Sequence, residues 1–507
     1  MHSKKTEKIV IFSILVIAAF FRLYQLDSIP PGIYPDEAIN ANDALKVLDS
    51  DKPQVFYPDN NGREGLFINL TALSFKIFGA NIWSFKLIAV LAGIIGVGAL
   101  YLLAKEMFNW QIGAMSSFLM AISFWHVNFS RIHFRAILAP MLITFMFYFL
   151  WKALKGKHIL NFLWSGIFLG LGFYTYIAFR ITPLILILGL LAYWQFIKKD
   201  FNREQYTHAR KHIFHGLILL FITAALIALP LGAYYWVHPD DFLGRTSQIS
   251  VFSSDQFWKQ LGTNILQTLG IFNFEGDYNW RHNFSGRPIL LWPVGVLFIA
   301  GLFRNILKFF KHRKDHGHFS AIHTILLSWF FIGLSPVFLS SEGLPHTLRA
   351  ILTAPVVFLF AGEGAWWFFS WLKNWYSARD KHLHEAVLVS SLVMIIFLGS
   401  LGLAEYKKYF IDWAQNPNTA SAFNQNYVKI GKEINKLPKT AHKYIVVHAR
   451  GVLVDGIPMP AQTVMFITGT YSKERQQQKN VFYLSPEEFL KQRTAITGRD
   501  GIVFELR

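Results

Sequence analysis

The densest acidic stretch near the start of the chain is PPGIYPDEAINAND, residues 30–43, which sets Asp36 beside Glu37 soon after an apolar run that ends near Leu26. A carboxylate at a membrane surface can act as a general base that takes a proton from an attacking hydroxyl or amine. It can also hold a divalent metal, or cap the helical-looking segment EAINANDALKVL that follows. The residues alone leave these three interpretations open.

Arginines occupy several of the polar stretches between the apolar runs. Arg63 lies in DNNGREGLF, just before a short apolar run. Its planar guanidinium fits the oxygens of a phosphate group, and anchoring among lipid head groups is the alternative. SFWHVNFSRIHFRAILAP, residues 123–140, holds further basic residues, for which an ion pair with a first-loop acid is the alternative. The candidate phosphate-binding residues are Arg63, Arg131, Arg180 and Arg349.

Hydrogen-bonding side chains beside aromatic rings form a third group, suited to binding a sugar. They lie in GFYTYIAFRITP (172–183), in FNFEGDYNWRHNFSGRPIL (272–290) and in SEGLPHTLRAILTAP, which also contains Glu342. The candidate sugar- or acceptor-binding residues are Tyr174, Tyr176, Asp277, Asn279, Arg281, His282 and His346. Asp277 and His282 have the side chains of metal ligands, but their spacing matches no specific metal motif. The sequence therefore predicts no metal site, although it does not exclude a divalent ion.

The composition indicates the class of protein that carries these residues. Of the 507 residues, 53% are hydrophobic and only 16% are charged. Repeated apolar runs of about 18–22 residues, each long enough to cross a bilayer, predict an all-α polytopic membrane protein. The net charge of +18 is explained by Lys and Arg in cytoplasmic loops, so no nucleic-acid partner is expected. The absence of cysteine excludes disulfides and cysteine-based zinc sites.

The distribution of basic loops predicts the topology. Apolar runs lie near residues 9–26, 66–79, 84–104, 111–126, 135–152, 159–177, 180–197, 213–236, 289–307, 320–341, 347–372 and 386–404. If all of them crossed, the basic loops 198–212 and 304–318 would lie outside, against the positive-inside rule. The run 66–79 has only about fourteen residues, the length of an interfacial segment. Treating it as juxtamembrane predicts about eleven spans, a cytoplasmic N-terminus, and outer loops at 27–83 and 237–288.

The region after the last apolar run differs in composition. Residues 1–405 are predicted to form the transmembrane domain and residues 406–507 a small soluble α/β domain on the extracytoplasmic side. In this tail KYIVVHA, TVMFIT, NVFYLS and GIVFEL have the apolar, β-branched character of strands. SPEEFLKQR begins with a Ser, a Pro and acids, which predicts a helix.

The motifs together resemble a known family. PPGIYPDEA, GREGLF, FGANIWSFKL, SFWHVNFSRIHFRAI, GLGFYTYIAFRITP, GDYNWRHNFSGRP and LPHTLRA follow one another in an order similar to bacterial membrane glycosyltransferases. These are of the dolichyl-phosphate-mannose–protein mannosyltransferase type, with the C-type glycosyltransferase fold, and include relatives of the lipid A aminoarabinose transferase. The resemblance extends over roughly residues 8–405, whereas the tail carries no matching motif.

The resemblance implies an inverting hexosyl or pentosyl transfer from a polyprenyl-phosphate sugar to a glycan, lipid or protein acceptor. The reaction is expected at the outer face of a bacterial plasma (inner) membrane, without a cofactor. By this resemblance Asp36 is the catalytic base, with Glu37 in support, and Arg63 holds the lipid phosphate. Arg63 is followed by Glu64 and Gly65, where the lipid A relatives resemble a Glu-Lys-Pro pattern.

Two other functional classes are compatible with outer arginines in a polytopic protein. A polyprenyl-diphosphate glycan polymerase or ligase also joins lipid-linked sugars, but it needs no acid pair in the first outer loop. A lipid or solute transporter is expected to show internal repeats and interrupted helices around a midplane site. The sequence shows no such repeat, and its unusual polar residues cluster in the predicted outer loops.

Overall fold

A computed structural model describes residues 4–156, 158–242, 251, 256–315, 317–341, 343–380, 383–497 and 501–507. Glu342 and most of 243–255, in the predicted long outer loop, lie outside the described residues. The helices in chain order are α1 Lys4–Leu23, α2 Pro35–Ser50, α3 Leu66–Phe78, α4 Ile82–Met107, α5 Trp110–Ile122, α6 Phe124–Phe129, α7 Leu138–Leu154, α8 Leu160–Gly172, α9 Thr182–Asp200, α10 Arg203–Val237, α11 Phe257–Gly270, α12 Trp292–Asp315, α13 Gly317–Gly333, α14 Ser335–Phe338, α15 Ala354–Asp380, α16 Leu383–Tyr406, α17 Pro417–Ala422, α18 Gln425–Ile434, α19 Gln462–Thr468, α20 Lys473–Lys479 and α21 Pro486–Thr497. The strands are β1 Phe56–Tyr57, β2 Arg63–Glu64, β3 Lys443–Val447, β4 Leu453–Val454, β5 Ile457–Pro458, β6 Val481–Leu484 and β7 Ile502–Leu506.

The fold is that of a multi-pass helical membrane protein. Among the described residues, 8 helical stretches are long and apolar enough to cross a membrane, and they contain α4, α7, α9, α10, α12, α13, α15 and α16. α5 and α8 are apolar but shorter, as is the predicted juxtamembrane helix α3. The 20 residues of α1 include charged groups at both ends. The count of about eleven spans stays a prediction, as does the orientation of the chain in the membrane.

Glycines permit close approach between some of these helices. A Cβ added at Gly301 of α12 would overlap with the carbonyl oxygen of Phe360 in α15. In the same pair of helices, a Cβ at Gly364 would overlap with the carbonyl oxygen of Leu297. Lipid provides no hydrophobic force between helices, so backbone contact of this kind is what stabilises their packing.

A layer of polar structure covers one end of the bundle. It consists of α2, α3 and the antiparallel β1–β2 pair from the first loop, together with the C-terminal region. In that region β3 lies between β6 and β7 in a parallel sheet, and α19 packs against α2. The helical chain runs through the predicted boundary at 405–406 to Trp413, and the division into domains stays a prediction.

The structure corrects one predicted strand of the tail. KYIVVHA, NVFYLS and GIVFEL contain β3, β6 and β7, and SPEEFLKQR begins α21, as predicted. TVMFIT instead forms helix α19, which follows a helical turn at Met459–Ala461 and ends at Gly469 with φ 63°. Nearly every residue of α19 is buried. A short helix that is apolar on all sides has no 3.6-residue period, so its sequence cannot be distinguished from that of a buried strand.

Tyr174 is hydrogen-bonded to the backbone of α10 beside Pro230, which lies inside this helix and has no N–H to donate. The Tyr174 hydroxyl donates to Ile227 O (2.8 Å) and accepts from Leu231 N (3.2 Å). Prolines are tolerated in spanning helices where a neighbouring group satisfies the freed backbone. The Tyr174 hydroxyl is thus engaged with the helix backbone, and its predicted role in sugar binding stays a prediction.

We expect Tyr174→Phe to lower the free energy of unfolding by roughly 1–3 kcal/mol, because two partly buried backbone groups, the carbonyl of Ile227 and the N–H of Leu231, lose a hydrogen-bond partner. Thermal unfolding of the purified protein in detergent measures the change. Tyr206→Phe is a matched control on α10, since its hydroxyl makes no hydrogen bond with any described residue. If Tyr174→Phe kept wild-type stability, the hydroxyl would not be bracing the helix.

Candidate active site

A cavity of about 360 Å³ lies where the first loop, the turn after α6 and the C-terminal region meet. Asp36 and Arg135 lie on its wall, with contributions from all three regions. The lining residues are Tyr34, Pro35, Asp36, Asn40, Asn60, Asn61, Arg63, Phe134, Arg135, Ala136, Tyr176, Leu348, Arg450, Gly451, Val452, Met459 and Pro460. It therefore brings together an acid, several cations and aromatic rings from distant parts of the sequence.

Asp36 stands in the first turn of α2, after Pro35 at the start of the helix. Its side chain is partly exposed to the cavity, and Oδ1 accepts a hydrogen bond from Asn60 Nδ2 (2.6 Å). Asn60 lies in a tight turn in which Asn60, Asn61 and Gly62 all have positive φ angles. Within the described part of the chain, no group donates to Oδ2. This oxygen is open to the cavity as a proton acceptor.

Glu37 does not reach the cavity. It is 1% exposed, and its two oxygens accept from the backbone N–H groups of Tyr34 (3.2 Å) and His133 (2.7 Å). Burial raises the pKa of Glu37, against the opposing charge of Lys86 and these two hydrogen bonds. Glu37 thus holds the start of α2 against the turn after α6, and it supports Asp36 as a positioning residue only.

Arg63, the predicted phosphate ligand, is engaged with other groups of the protein, and its role in phosphate binding stays a prediction. Although it lines the cavity, it is 2% exposed and its Nη2 lies 2.6 Å from Asp43 Oδ2. Nη1 donates to Asn40 Oδ1 (3.0 Å), and Nε donates to the carbonyl oxygen of Asp59 (3.2 Å). With its fork engaged in this way, Arg63 joins the β1–β2 loop to α2. It is the partner of a buried carboxylate, and that role competes with binding a lipid phosphate.

Arg131 is also a structural residue. It is fully buried, and its guanidinium donates to the carbonyl oxygens of Phe21, Tyr24, Gln25 and Ile29 at 2.8–3.2 Å. The last carbonyls of a helix have no partner within the helix. Arg131 supplies that partner at the end of α1 and in the turn that follows. It is not among the residues that line the cavity, and its role as a phosphate ligand stays a prediction.

Arg180 and Arg349 also lie off the cavity wall. Arg180 donates to Phe242 O (2.8 Å) and to the Tyr235 hydroxyl (3.0 Å). Arg349 is hydrogen-bonded to Ser340. Neither is among the lining residues, so the structure does not bring these two predicted phosphate ligands to Asp36.

Two other arginines lie on the cavity wall, and neither was a predicted phosphate ligand. Arg135 forms an ion pair with Glu64 (2.8 Å) and donates to Gly62 O (3.2 Å). Arg450 is exposed and has no ion-pair partner among the described residues. Arg135 is one of the basic residues of segment 123–140 that the sequence singled out, whereas no signal in the sequence could have identified Arg450.

The predicted sugar-binding residues divide into two groups. Tyr176 lines the cavity, and the Arg281 guanidinium lies 3.7 Å from the ring centre of Tyr34, another lining residue. Asp277 and His282 are buried, and Asn279 accepts from Arg281 N in the same turn (3.0 Å). The second group consists of Asp277, Asn279, His282 and His346, which are not among the residues that line the cavity. Their assignment to sugar or acceptor binding stays a prediction.

Asp277, His282 and His346 instead form a cluster of their own. Their ligand atoms all lie within 4.8 Å of one another. Burial by itself would raise the pKa of Asp277, but the hydrogen bond and charge of His282 and the charge of His346 hold it below its usual value. The sequence missed this cluster because His346 lies far along the chain from Asp277.

Comparison with known proteins agrees with this architecture. Residues 66–228 match the family model described as dolichyl-phosphate-mannose-protein mannosyltransferase. A putative mannosyltransferase of Bacillus subtilis, YkcB, is 29% identical over 217 residues, which is 39% of this chain and 28% of that protein. These matches confirm the family resemblance. The aligned part spans little more than a quarter of YkcB, so the activity of the whole chain does not follow from it.

Solved structures of low identity share the fold. ArnT from Cupriavidus metallidurans, bound to undecaprenyl phosphate, has a TM-score of 0.54 and 12% identity, covering 99% of this chain and 90% of that chain. The Archaeoglobus fulgidus oligosaccharyltransferase has a TM-score of 0.55 and 14% identity, covering 96% of this chain and 65% of that chain. The family match and the fold together support the polytopic architecture predicted from the sequence.

We expect Arg63→Ala to lower the free energy of unfolding by roughly 3–5 kcal/mol, because it removes the closest partner of the buried Asp43 carboxylate and leaves Lys46 Nζ, 3.6 Å from Oδ1, as the remaining ion pair among the described residues. Unfolding by heat or denaturant in detergent measures this. The double variant Arg63→Met with Asp43→Asn removes both charges, so it is expected to be less destabilised than Arg63→Ala. If Arg63→Ala instead kept wild-type stability but lost binding of lipid phosphate, Arg63 would be a phosphate ligand, as the sequence predicted.

Proposed function

We propose that this chain transfers a sugar from a polyprenyl monophosphate to a hydroxyl group of an acceptor, with inversion at the anomeric carbon. The observation that carries the proposal is the cavity in which the accessible carboxylate of Asp36 lies with Arg135 and Arg450. The family match and the ArnT fold, solved with undecaprenyl phosphate, support the class of donor. Mannose is the first candidate sugar, from the family description and from YkcB.

In this mechanism Asp36 acts as general base. Oδ2 takes the proton of the acceptor hydroxyl while that oxygen forms a bond to the anomeric carbon. The bond between this carbon and the phosphate oxygen breaks on the opposite face of the sugar, so the configuration inverts. The hydrogen bond from Asn60 to Oδ1 (2.6 Å) keeps the carboxylate in one orientation. A base held within hydrogen-bond reach of its proton contributes typically ~10²–10⁴-fold to a rate.

The leaving group needs cations more than it needs an acid. A phosphate monoester leaves with its negative charge spread over its oxygens, and fixed cations stabilise that charge as it develops. Arg135 is fixed by Glu64 and Gly62 (2.8 and 3.2 Å) and presents part of its guanidinium to the cavity. Arg450 supplies a second cation from the C-terminal region. Glu37 and Arg63 act through the fold, by holding α2.

The predicted setting completes the proposal. The cavity lies at the end of the bundle that carries the first loop and the C-terminal region, which the positive-inside pattern assigns to the outside. The reaction would then occur on the outer face of a bacterial plasma membrane, on an acceptor glycan, lipid or protein. No step described here requires a cofactor.

We expect Asp36→Asn to lower turnover by ~10²–10⁴-fold, because the amide cannot take the acceptor proton. Purified protein in nanodiscs is given a panel of polyprenyl-monophosphate sugars with candidate acceptors, and release of polyprenyl phosphate is measured. Asp51→Asn, an exposed acid at the other end of α2, is the matched control and is expected to keep wild-type turnover. Near-full turnover of Asp36→Asn would remove Asp36 as base, and release only from diphosphate donors would point to a polymerase or ligase.

We expect Arg450→Ala to weaken binding of polyprenyl phosphate by about tenfold or more, since a charge-assisted hydrogen bond contributes ~1.5–3 kcal/mol. Binding is measured by titrating polyprenyl phosphate into nanodiscs, and the difference from wild type should shrink with added salt. Lys429→Ala removes an exposed charge from the same region without touching the cavity. Equal affinity of Arg450→Ala and Lys429→Ala would show that Arg450 is not a phosphate ligand.

A further inference from the structure

A second cavity, of about 860 Å³, lies where the C-terminal half of α2, the turn between α3 and α4, and the C-terminal region meet. Among the described residues, it shares none of its lining with the cavity that holds Asp36. Basic side chains of α18 and α20 lie on its wall together with Trp83, at the start of the spanning helix α4. We propose that this second cavity binds the phosphate-bearing head group of an anionic membrane lipid.

The cations of this cavity come from the C-terminal region. Among the described residues they are Lys432 on α18, and Arg475 and Lys479 on α20. Arg475 is paired with Asp49 of α2 (2.8 Å). Lys479 donates to the carbonyl oxygen of Thr468, and Lys432 is exposed. Within the described part of the chain neither lysine forms an ion pair, so two positive charges are available to an anion.

The carboxylates on the same wall are engaged with other groups. Asp49 Oδ1 accepts from Arg475 Nη2 (2.8 Å), and Oδ2 accepts from the Tyr471 hydroxyl (2.7 Å). Asp27 is exposed and interacts electrostatically with the buried Lys86 of α4. Each acid therefore has a cation of its own, and the charge of the two lysines is left without compensation.

The surroundings of Lys479 favour a bound anion. Burial, together with the positive charges of Arg475 and Lys439, lowers the pKa of this amine. Neighbouring like charges disfavour the charged form of an ionisable group, whereas an opposite charge within a few ångströms favours it. A phosphate group in contact with Lys479 would therefore stabilise the cluster of cations.

Another wall of the cavity is the turn between α3 and α4, Ala80–Trp83. Tryptophan is enriched at the interface between membrane and water, and the ring of Trp83 packs edge-on against that of Phe78 at the end of α3 (5.5 Å between centres). The exposed fractions of Leu73, Ile77 and Phe78 are 51–62%. An apolar helix face of this kind fits against acyl chains. With α3 lying along the membrane surface, as predicted, the cavity is at the level of the lipid head groups.

A lipid head group fits this cavity better than a free phosphate ion does. The cations would suit either, but Leu45, Leu48 and Phe466 share the wall with them. Apolar surface contributes nothing to the binding of an inorganic ion, whereas the glycerol and upper acyl carbons of a lipid can pack against it. Helix α4 also begins at this wall, and the N-terminal end of a helix favours negative charge.

A lipid bound here would hold the C-terminal region against the membrane. Lys432 and Lys479 belong to that region, whereas Trp83 belongs to a spanning helix. One head group in contact with both would add to the packing of α19 on α2. The inference does not depend on the proposed transfer reaction, because it concerns a different cavity.

The test uses full-length protein in detergent, freed of co-purified lipid, and counts bound lipid by native mass spectrometry. The probes are short-chain phosphatidylglycerol, phosphatidylcholine of the same chain length, and inorganic phosphate. We expect wild type to bind one phosphatidylglycerol per chain at this site and to bind phosphatidylcholine more weakly. The double variant Lys432→Ala with Lys479→Ala is expected to bind phosphatidylglycerol at least tenfold more weakly.

Two controls separate this site from its surroundings. Lys429→Ala removes an exposed lysine from the same helix, α18, outside the cavity, and should bind phosphatidylglycerol as wild type does. Arg450→Ala should also keep this binding, since Arg450 lines only the cavity that holds Asp36. If Arg450→Ala loses the binding and the double variant keeps it, the lipid occupies the candidate active site and the proposal is overturned.

A photoreactive phosphatidylglycerol provides a second measurement. We expect cross-links to the turn Ala80–Trp83 and to α18 or α20. If the double variant does not fold, Lys432→Ala replaces it, because this side chain is exposed, and it should weaken both binding and cross-linking. The proposal is overturned if these variants bind phosphatidylglycerol as tightly as Lys429→Ala does. Equal binding of phosphatidylcholine would also overturn it, and displacement of the lipid by an equal concentration of inorganic phosphate would assign the cavity to a free anion.

Discussion

The position of the candidate base depends on one hydrogen bond, from the backbone N–H of His133 to the buried carboxylate of Glu37 (2.7 Å). Burying a carboxylate costs several kcal/mol unless other groups compensate. Here two backbone donors and the charge of Lys86 offset part of this cost, although burial still raises the pKa of Glu37. Asp36 is the residue before Glu37, and Arg135 lies two residues after His133. The hydrogen bond between Glu37 and His133 therefore holds Asp36 and Arg135 in a fixed relation to each other. Asp36 and Arg135 therefore cannot move independently.

The arginines near this frame show how a polar layer is built on a membrane bundle. Carbonyls at the end of a helix lack partners, and Arg131 satisfies four such oxygens at and after the end of α1. Arg63 balances the buried charge of Asp43. In the predicted topology both residues lie on the side where the positive-inside rule predicts few cations. Their burial explains this exception, because Arg63 pairs with Asp43 and the guanidinium of Arg131 donates to backbone carbonyl oxygens.

The sequence predicted most of the helices, the acidic first loop and the placement of Asp36 and Tyr176 at a cavity. Hydrophobic periods and turn residues carry that information locally. It could not distinguish Arg135, which lines the cavity, from Arg131, which bonds to backbone carbonyls, because nothing in the local sequence shows where an arginine side chain will pack. Nor could it foresee Arg450, or the approach of His346 to Asp277, since both contacts depend on how distant segments pack.

The C-terminal region is part of the cavity because it is docked on α2. Asn42 Nδ2 donates to Gln462 Oε1 (2.7 Å), and the Thr463 hydroxyl donates to Ile33 O (3.0 Å) on the other side of Asp36. These buried hydrogen bonds hold α19 beside the N-terminal half of α2. The segment that precedes α19 contains Arg450, which lines the cavity. The base therefore lies on the helix against which the C-terminal region packs, and Arg450, which has no ion-pair partner among the described residues, comes from the region itself. We expect a change that weakens this docking to remove Arg450 from the cavity while Asp36 stays in place on α2. A complete site therefore requires a stable contact between α2 and the C-terminal region.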